Sequence, residues 1–304
     1  MKILVLGGNG FIGRNICKYL LEIGYDITSF DIQEPGLKLP GVRYILGDFF
    51  DDDEILPLLD GIDVVFHAIS TINPGNSNVR YMQGYMYDFM QSVKLCNWSI
   101  EFGFKIIYLS SGGTVYGYQE KMPITEETLS VPINHYGNIK LCVENTIRTF
   151  NKQSGTNNII ARIANPYGPE QDYHNGVGFI DAALKHAIAQ EIIEIWGDGY
   201  TIRDYIYIDD VCRMLASLIK YPGPEAIFNL SSNRGTTQKE VIQIIKQMVP
   251  NVRIKYLPAR PVDVSQIVLD NQKIMKLVNA PCISIEDGIK KYYNYLLAQT
   301  SRSI

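Results

Sequence analysis

The sequence predicts an α/β fold: a doubly wound parallel sheet that carries a smaller C-terminal α/β lobe. Three observations support this. Apolar runs of strand length alternate with helical patterns through the first half, a glycine-rich turn follows the first run, and the alternation becomes irregular after Pro166. Strands that alternate with helices form a parallel sheet covered on both faces. We therefore expect a cleft between this sheet and the C-terminal lobe.

The predicted elements follow one another without a repeat, a low-complexity tract or a long linker. Six runs predict strands: Lys2–Leu6, Asp26–Phe30, Val42–Leu46, Val64–Ala68, Ile106–Ser110 and Asn158–Arg162. Helical patterns occupy Ile12–Ile23, Asp52–Leu59, Gln83–Phe102 and Tyr136–Ser154. Beyond Pro166 we expect a helix at Gly178–Ala189, a turn at "IWGDG", a strand at "RDYIYI", and helices at Thr237–Val249 and Ile285–Gln299.

Composition excludes several classes of protein. The 304 residues are 46% hydrophobic and 20% charged, and the 28 basic and 32 acidic side chains give a net charge of −4. This balance shows no excess of basic residues of the kind that binds nucleic acid or an anionic membrane. An anionic ligand must therefore be held by a local cluster of basic residues. Five scattered cysteines without a CxxC pair argue against a zinc site and for a reduced, cytoplasmic protein. "MKILVLGG" runs straight into a strand and leaves no room for a signal peptide, and no apolar run approaches the ~18 residues of a membrane span.

The first glycine loop predicts a dinucleotide site. Gly7, Gly10 and Gly13 lie between the first strand and the first helix, and Asp31 ends the second strand. Glycines there allow a tight turn and close approach of a pyrophosphate to the helix N-terminus, while an acidic residue accepts from ribose hydroxyls and favours NAD over NADP. Asp48 ends the third strand and is a candidate for the adenine amino group. The alternatives are a plain strand–helix turn with a solvated Asp31, and a loop carboxylate at Asp48.

A tyrosine–lysine pair predicts acid–base chemistry. Of 20 tyrosines, only Tyr136 has a lysine four residues on, Lys140, and residues at that spacing share one face of a helix. We expect the ammonium to lower the tyrosine pKa from about 10 toward neutrality and make Tyr136 a general base. The alternative is an ordinary surface pair.

The motifs together resemble the extended short-chain dehydrogenase/reductase family, and within it the nucleotide-sugar epimerases and dehydratases. The resemblance covers nearly the whole chain and rests on "GGNGFIG", "GDFFD", "HAIS", "SSGGTVYG", "YGNIK", "RIANPYGP", "WGDGYTIRDYIYIDD" and "ARPVDV". The chain looks most like UDP-glucose 4-epimerases. The resemblance implies a Rossmann domain at 1–166, on which about 204–230 pack back, and a mainly nucleotide-sugar-binding lobe at 167–304.

The same resemblance implies a reaction and its residues. Tyr136 takes the proton of the sugar's 4-hydroxyl, Lys140 holds the phenolate and the nicotinamide ribose, and hydride passes from C4 to NAD and back to the other face. The cofactor-binding set is Gly7, Gly10, Phe11, Ile12, Gly13, Asp31, Asp48, Phe49, Ala68, Tyr136 and Lys140. The substrate-binding set is Asn165, Trp196, Arg203, Arg260, Asp263 and Ile267. No metal is implied.

Two substrate residues have plainer interpretations. Arg203 and Arg260 match the arginines that grip the diphosphate, and two guanidiniums meeting a diphosphate form forked, charge-assisted bonds. Trp196 matches an aromatic of the uracil pocket. Alternatively, Trp196 belongs to the core, and Arg203 pairs with Asp209 or Asp210.

The chain departs from the family at the catalytic strand end, "YLSSGGTVYG". Relatives carry a third serine that shares a proton with the 4-hydroxyl, and alignment on Val115 puts Gly112 at that position. We expect Thr114 to supply the hydroxyl, with Ser111 second and an ordered water third. The loop has no carboxylate, which argues against a 4,6-dehydratase. Relatives also carry an asparagine where this chain has Asp88.

Substrate choice and assembly stay open. In the resembling epimerases the residue four places after the aspartate of "RPxD" borders the C2 substituent, and here it is Ile267. A stiff, β-branched side chain predicts UDP-glucose/UDP-galactose activity with appreciable N-acetylated activity, and uronic acids stay possible. The alternatives are a nucleotide-sugar reductase and a non-catalytic NAD-binding regulator. The family pairs the helices near Gln83–Phe102 and Tyr136–Ser154 into a homodimer, whereas burial within the monomer is the other possibility.

Overall fold

The computed structural model describes residues 1–175, 178–259 and 264–300. Thirteen strands are assigned there: β1 (Lys2–Leu6), β2 (Asp26–Asp31), β3 (Val42–Leu46), β4 (Val64–His67), β5 (Lys105–Ser111), β6 (Ile159–Ile163), β7 (Asn165–Tyr167), β8 (Ile192–Trp196), β9 (Ile202–Tyr207), β10 (Ile227–Leu230), β11 (Gly235–Thr237), β12 (Arg253–Leu257) and β13 (Gln266–Ile267).

Eleven α-helices cover the strands of the described ranges. They are α1 (Phe11–Glu22), α2 (Asp52–Ile55), α3 (Tyr81–Gln83), α4 (Met90–Phe102), α5 (Gly112–Val115), α6 (His135–Ser154), α7 (Phe179–Ile188), α8 (Ile208–Leu218), α9 (Gln238–Met248), α10 (Gln272–Met275) and α11 (Ile285–Thr300). Six π-helical residues, Gly84–Phe89, join α3 to α4, and short 3₁₀ turns lie at Leu56–Leu58 and Tyr173–Asn175.

The large sheet has seven parallel strands in the order β10-β6-β5-β4-β1-β2-β3. Chain order reverses between β1 and β4, and a sheet of this kind opens a crevice there, outside the carboxyl ends of its strands. A second sheet joins β7, β9, β11 and β13, and β8 pairs with β12. The smaller sheets therefore form the opposite wall of that crevice.

Alternation along the strands divides the core into two layers. On β1, Ile3 and Val5 join one buried cluster, whereas Leu4 and Leu6 join the other. Successive side chains of a strand point to opposite faces, so each layer needs its own helices. Helices α1 and α8 pack together in the first layer, and α4 and α6 pack together in the second. Burial on both faces explains why the predicted strands are nearly continuous apolar runs.

The structure confirms the predicted fold class and adds elements that the sequence patterns did not reveal. Strand β10 and helix α8 return to the large-sheet body after the chain has entered the smaller sheets. The predicted turn "IWGDG" begins inside β8, and the predicted helix Gln83–Phe102 is π-helical at its start. The division into domains at residue 166 stays a prediction. Over the described residues, no helix combines the length and apolarity needed to cross a membrane.

Candidate active site

A cleft of about 1190 Å³ opens at the carboxyl ends of the large sheet's strands. Both walls contribute side chains: Phe11, Ile12, Ala68, Ser111, Thr114, Tyr136 and Lys140 from the large-sheet side, and Asn165, Trp196, Arg203 and Ile267 from the other. A space of this size is larger than a typical pocket for a small ligand. It suits two ligands placed end to end.

The glycine loop has the shape that a pyrophosphate requires. Gly7 has φ +78°, and a Cβ on Gly13 would lie 2.0 Å from the Gly7 carbonyl oxygen, so both positions need glycine. Gly10 caps α1 without a side-chain hydrogen bond, which leaves the helix N-terminus open to an anion. The carboxylate of Asp31 accepts the backbone N–H groups of Asn9 and Gln33, both at 3.0 Å, and so stands beside this loop. These features fit a dinucleotide.

Some of the remaining candidate cofactor-binding residues line the cleft, and others are buried behind its wall. Phe11, Ile12 and Ala68 line the cleft. Phe49 is 2% exposed and its ring lies 5.2 Å from that of His67, so it supports the wall from behind. The Oδ1 atom of Asp48 accepts the Phe50 N–H at 2.9 Å, which is a local turn bond, and its predicted contact with adenine stays a prediction.

The tyrosine–lysine pair lies at the start of α6, with Lys140 buried and Tyr136 half-buried in the wall of the cleft. Asn134 caps this helix by accepting the Gly137 N–H at 2.8 Å, which fixes the first turn. The Nζ atom of Lys140 lies 5.5 Å from the centre of the Tyr136 ring and donates to the Leu109 carbonyl at 3.0 Å. The alternative of an ordinary surface pair is therefore wrong, since Lys140 is 5% exposed.

The expected direction of the Tyr136 pKa is also wrong for the ligand-free protein. Burial raises this pKa to about 12, the charge of Asp88 adds to the rise, and a hydrogen bond with Ser111 opposes it. Burial lowers the pKa of Lys140 to about 8, against the nearby charges of Asp88 and Glu144. Burial therefore disfavours the charged form of both groups.

The three hydroxyls of the catalytic strand end have different partners. Ser110 donates to Glu144 at 2.5 Å, within a buried ion pair of Glu144 with Arg162. Ser111 hydrogen-bonds Tyr136. The Thr114 hydroxyl turns back to the Ser111 carbonyl at 3.4 Å. The geometry therefore reverses the order expected from sequence and favours Ser111.

Gly112 lies in a tightly packed place. A Cβ built there would lie 2.3 Å from the Leu269 side chain, so a serine would need the end of that side chain to move. Which hydroxyl takes the place of the serine that relatives carry at this position stays a prediction.

The candidate substrate residues line the far wall. The Asn165 amide donates to the Asp204 carbonyl at 3.2 Å, and Ile267 is 1% exposed in β13, in register with Arg203. Trp196 is 41% exposed, so the alternative of a core tryptophan is wrong. Arg203 donates to the Ile202 and Val264 carbonyls, while Asp209 pairs with Lys291 and Asp210 with Arg213. Arg260 and Asp263 lie outside the described residues.

Sequence patterns missed several polar residues of the cleft, among them Gln171, His186, Gln238 and Arg253. The side-chain oxygens of Gln171 and Gln238 are buried without a hydrogen-bond partner among the described residues. His186 and Glu191 lie 3.1 Å apart between Nδ1 and Oε2. Gln171 follows "RIANPYGP" closely in the chain, whereas Gln238 and Arg253 lie near none of the motifs. The described residues contain no cluster suited to a metal ion.

Comparison with known proteins gives consistent matches. The model of the NAD dependent epimerase/dehydratase family matches residues 3–231. A putative UDP-glucose 4-epimerase of Methanocaldococcus jannaschii is 30% identical over 97% of this chain and 98% of its own length. A dTDP-4-dehydro-6-deoxyglucose reductase of Escherichia coli is 30% identical over 95% of each chain. The crystal structure of a Thermotoga maritima UDP-glucose 4-epimerase with UDP-glucose superposes with a TM-score of 0.92 at 29% identity, over 99% of this chain and 100% of that one.

Proposed function

The chain belongs to the NAD dependent epimerase/dehydratase family, and on that premise we propose that it inverts C4 of a UDP-hexose of the glucose/galactose type. The observation that carries the proposal is a combination. A putative and a structurally characterised UDP-glucose 4-epimerase from two organisms align with nearly all of this chain, and the cleft brings Tyr136 together with the buried Lys140 and with Ser111.

NAD is the cofactor of the proposed reaction. Gly7, Gly10 and Gly13 would hold its pyrophosphate, and Asp31 its adenine ribose. When bound, it accepts hydride from C4 and returns it to the other face, and its positive ring supplies charge that helps a buried phenol to ionise. Asp31 disfavours a 2′-phosphate in that place, which supports NAD over NADP.

The chain's own residues move the proton. Tyr136 takes it from the 4-hydroxyl and gives it back after the sugar has turned, as general base and then general acid. Ser111 bridges the phenol and the sugar hydroxyl, and Lys140 stabilises the phenolate. Because Lys140 is buried and Tyr136 half-buried, their charges interact more strongly than they would in water.

The far wall would hold the nucleotide. Arg203 would grip the diphosphate, Trp196 would border the base, and Asn165 would contact the nucleotide-sugar. Arg260, the second arginine expected at the diphosphate, lies outside the described residues. A firm hold on the diphosphate leaves the hexose free to present either face to the same tyrosine. Ile267 would border the C2 substituent, with Asp263 in the same motif, so discrimination against an N-acetyl group should be modest.

The second candidate is a nucleotide-sugar reductase, which the Escherichia coli relative favours. A reductase consumes a reduced nicotinamide in every turnover, whereas an epimerase needs none from outside. A non-catalytic NAD-binding regulator would have no use for the buried Tyr136–Lys140 pair. Conversion without added nicotinamide indicates the epimerase, conversion only with added reduced nicotinamide indicates the reductase, and no conversion under either condition indicates the regulator.

We also propose a homodimer in the cytoplasm. Val79, Met82, Met86 and Met90 are each more than half exposed along one side of the chain that leads into α4, and apolar surface of this kind marks association sites. The five cysteines are free thiols, which suits a reducing compartment. Light scattering after gel filtration measures the oligomeric state, and cell fractionation tests the cytoplasmic location.

The test is a substrate panel without added nicotinamide: UDP-glucose, UDP-N-acetylglucosamine, UDP-glucuronate and dTDP-4-dehydro-6-deoxyglucose. We expect conversion of UDP-glucose to UDP-galactose, with lower activity on the N-acetylated pair. Activity on the dTDP sugar alone, and only with added reduced nicotinamide, would establish the reductase instead.

A further inference from the structure

The rim loop, residues 70–80, follows β4 and contributes Asn73 and Pro74 to the wall of the cleft. The Oδ1 atom of Asn73 accepts the backbone N–H groups of Gly75 and Asn76, at 2.9 and 3.0 Å, which fixes the shape of the loop's tip. The position of this tip in the cleft then depends on what holds the two ends of the loop.

The first end of the rim loop packs against α6, the helix that carries Tyr136. Ile72 of the rim loop and Ile139 of α6 are each 3% exposed. A Cβ on Gly84 would lie 2.5 Å from the Cδ1 atoms of both side chains, so both reach the same place beside this glycine. The rim loop and α6 therefore share a closely packed contact.

The second end of the rim loop is joined to α6 through the ring of His135. Tyr81, directly after the rim loop, stacks on this ring with 4.8 Å between ring centres and 27° between the planes. The Tyr85 ring meets it edge-on at 5.8 Å. The Tyr85 hydroxyl lies 3.3 Å from Nδ1 of His135 and accepts the side-chain N–H of Asn138 at 2.7 Å. Stacked and edge-to-face pairs at these distances are attractive, so the His135 ring is held on two sides.

The same histidine begins α6. The first N–H groups of a helix have no acceptor within it, and that of His135 donates to Oδ1 of Asn78 in the rim loop at 3.4 Å. The Gly137 N–H donates to Asn134, which directly precedes the helix. Tyr136 lies between these two bonds, in the first turn. The rim loop thus holds from outside the turn that Asn134 caps from its own segment.

We propose that His135 is a positioning residue for the proton transfer: its ring, held by Tyr81 and Tyr85, fastens the rim loop to the first turn of α6 and so sets where the Tyr136 hydroxyl meets the sugar. The catalytic consequence rests on the proposed function, whereas the anchoring does not. A general base acts only within hydrogen-bond reach of its proton, and a displacement of about 1 Å can cost about 10²-fold in rate. Tyr81 is 41% exposed, so its ring can be removed without opening the core.

Steady-state kinetics of Tyr81→Ala, Tyr81→Phe and Tyr87→Ala test the catalytic part. Tyr87 is the matched control, because it is 48% exposed, lies close to Tyr81 in the chain, and pairs its ring with Phe50 at 5.4 Å. With UDP-glucose, we expect Tyr81→Ala to lower kcat at least about tenfold and to change KM less than about threefold. Tyr81→Phe keeps the ring and should keep the wild-type kcat, as should Tyr87→Ala. A merely structural role would lower the melting temperature of Tyr81→Ala and leave kcat per folded molecule unchanged, and that result would overturn the proposal.

Amide hydrogen exchange of the NAD-bound protein measures the anchoring without turnover. In Tyr81→Ala and in His135→Ala, residues 134–140 should exchange at least about twofold faster, the weight of one lost aromatic pair, whereas Tyr87→Ala should leave them unchanged. Unchanged exchange in both variants would overturn the proposal, and so would faster exchange at the wild-type kcat. If Tyr81→Ala does not fold, His135→Ala decides by the same two measurements. Wild-type protein that does not convert UDP-glucose would contradict the proposed function, and the exchange rates would still decide the anchoring.

Discussion

Two clusters of buried charge lie side by side on α6, and they differ in how their charges are matched. In the first, Arg162 meets Glu144 at 2.5 Å, Ser110 donates to the same carboxylate, and the guanidinium lies 4.6 Å from the Tyr116 ring centre. In the second, the Lys140 ammonium donates to a backbone carbonyl and lies 4.8 Å from the Tyr108 ring centre, and it forms no ion pair with a carboxylate of the described residues. Glu144 and Lys140 are one helical turn apart, so the same helix carries both arrangements.

The matched cluster is expected to stabilise the fold, whereas the unmatched cluster is expected to take part in the reaction. The matched cluster pairs opposite charges and ties α6 to the ends of β5 and β6, although Nη1 of Arg162 has no hydrogen-bond partner among the described residues. In the unmatched cluster, burial raises the Tyr136 pKa to about 12 and lowers that of Lys140 to about 8. Groups whose pKa values are displaced by burial, and which also line a cleft, are the ones expected to react.

The largest effect should come from breaking the matched cluster. We expect Glu144→Gln to lower the free energy of unfolding by about 3–5 kcal/mol, because it leaves the Arg162 charge buried without a counterion. Asp52→Asn, which breaks the exposed pair with Lys94, should cost only about 0.2–1 kcal/mol. Urea unfolding of both variants measures the contrast. Equal losses would mean that the buried pair contributes no more than a surface pair.

Substitutions in the unmatched cluster should lower turnover and leave the stability of the fold nearly unchanged. We expect Tyr136→Phe to reduce turnover at least about 10²-fold, the weight of a general base, with NAD binding and stability retained. Tyr108→Phe is the matched control, since its ring also lies near Lys140 but its hydroxyl has no part in the proposed transfer, and it should lose less than about tenfold. Wild-type turnover in Tyr136→Phe would rule out the proposed base.

The catalytic strand end sharpens the comparison further. We expect Ser111→Ala to lower kcat by about 10–10²-fold, because it removes the hydroxyl that bonds Tyr136. Thr114→Val should cost only a few-fold, since the Thr114 hydroxyl turns toward its own backbone. Steady-state kinetics of the two purified variants decide the order. A silent Ser111→Ala beside an inactive Thr114→Val would restore the assignment expected from sequence.

The smallest effect should lie on the far wall. Ile267→Tyr should shift the ratio of kcat/KM for UDP-N-acetylglucosamine to that for UDP-glucose by about tenfold against the larger sugar. The reason is steric: Ile267 is buried at the edge of the cleft, and a tyrosine would fill space that the C2 substituent needs. Equal losses on both sugars would show that Ile267 does not border this substituent.

The sequence predicted the large sheet well and the smaller sheets poorly. Strands such as β1 and β6 are buried on both faces and read as continuous apolar runs, a signal that needs no partner to be recognised. Strands β7, β11 and β13 are two or three residues long and exist through pairing with β9, a long-range contact that leaves no local periodicity.

The sequence predicted several residues of the candidate site, but it did not predict the direction of the Tyr136 pKa. Spacing identified Tyr136 with Lys140, and the glycine loop with Asp31. Which hydroxyl lies near Tyr136 depends on the direction of each side chain, and an alignment of the loop does not reveal that direction. In the structure, Gly112 faces Leu269 and Ser111 bonds Tyr136. The pKa of Tyr136 depends on burial and on Asp88, 48 positions away in the chain, so it required the folded structure.

The central claim is that C4 of the sugar loses and regains the same hydrogen while the sugar is bound in the cleft. The most direct measurement is the conversion of UDP-glucose deuterated at C4 by the purified protein, without added nicotinamide, followed by mass spectrometry and NMR of the product. We predict UDP-galactose that retains deuterium at C4, with little product from Tyr136→Phe. Product that has exchanged its C4 deuterium for solvent hydrogen, or no conversion unless reduced nicotinamide is supplied, would contradict the account.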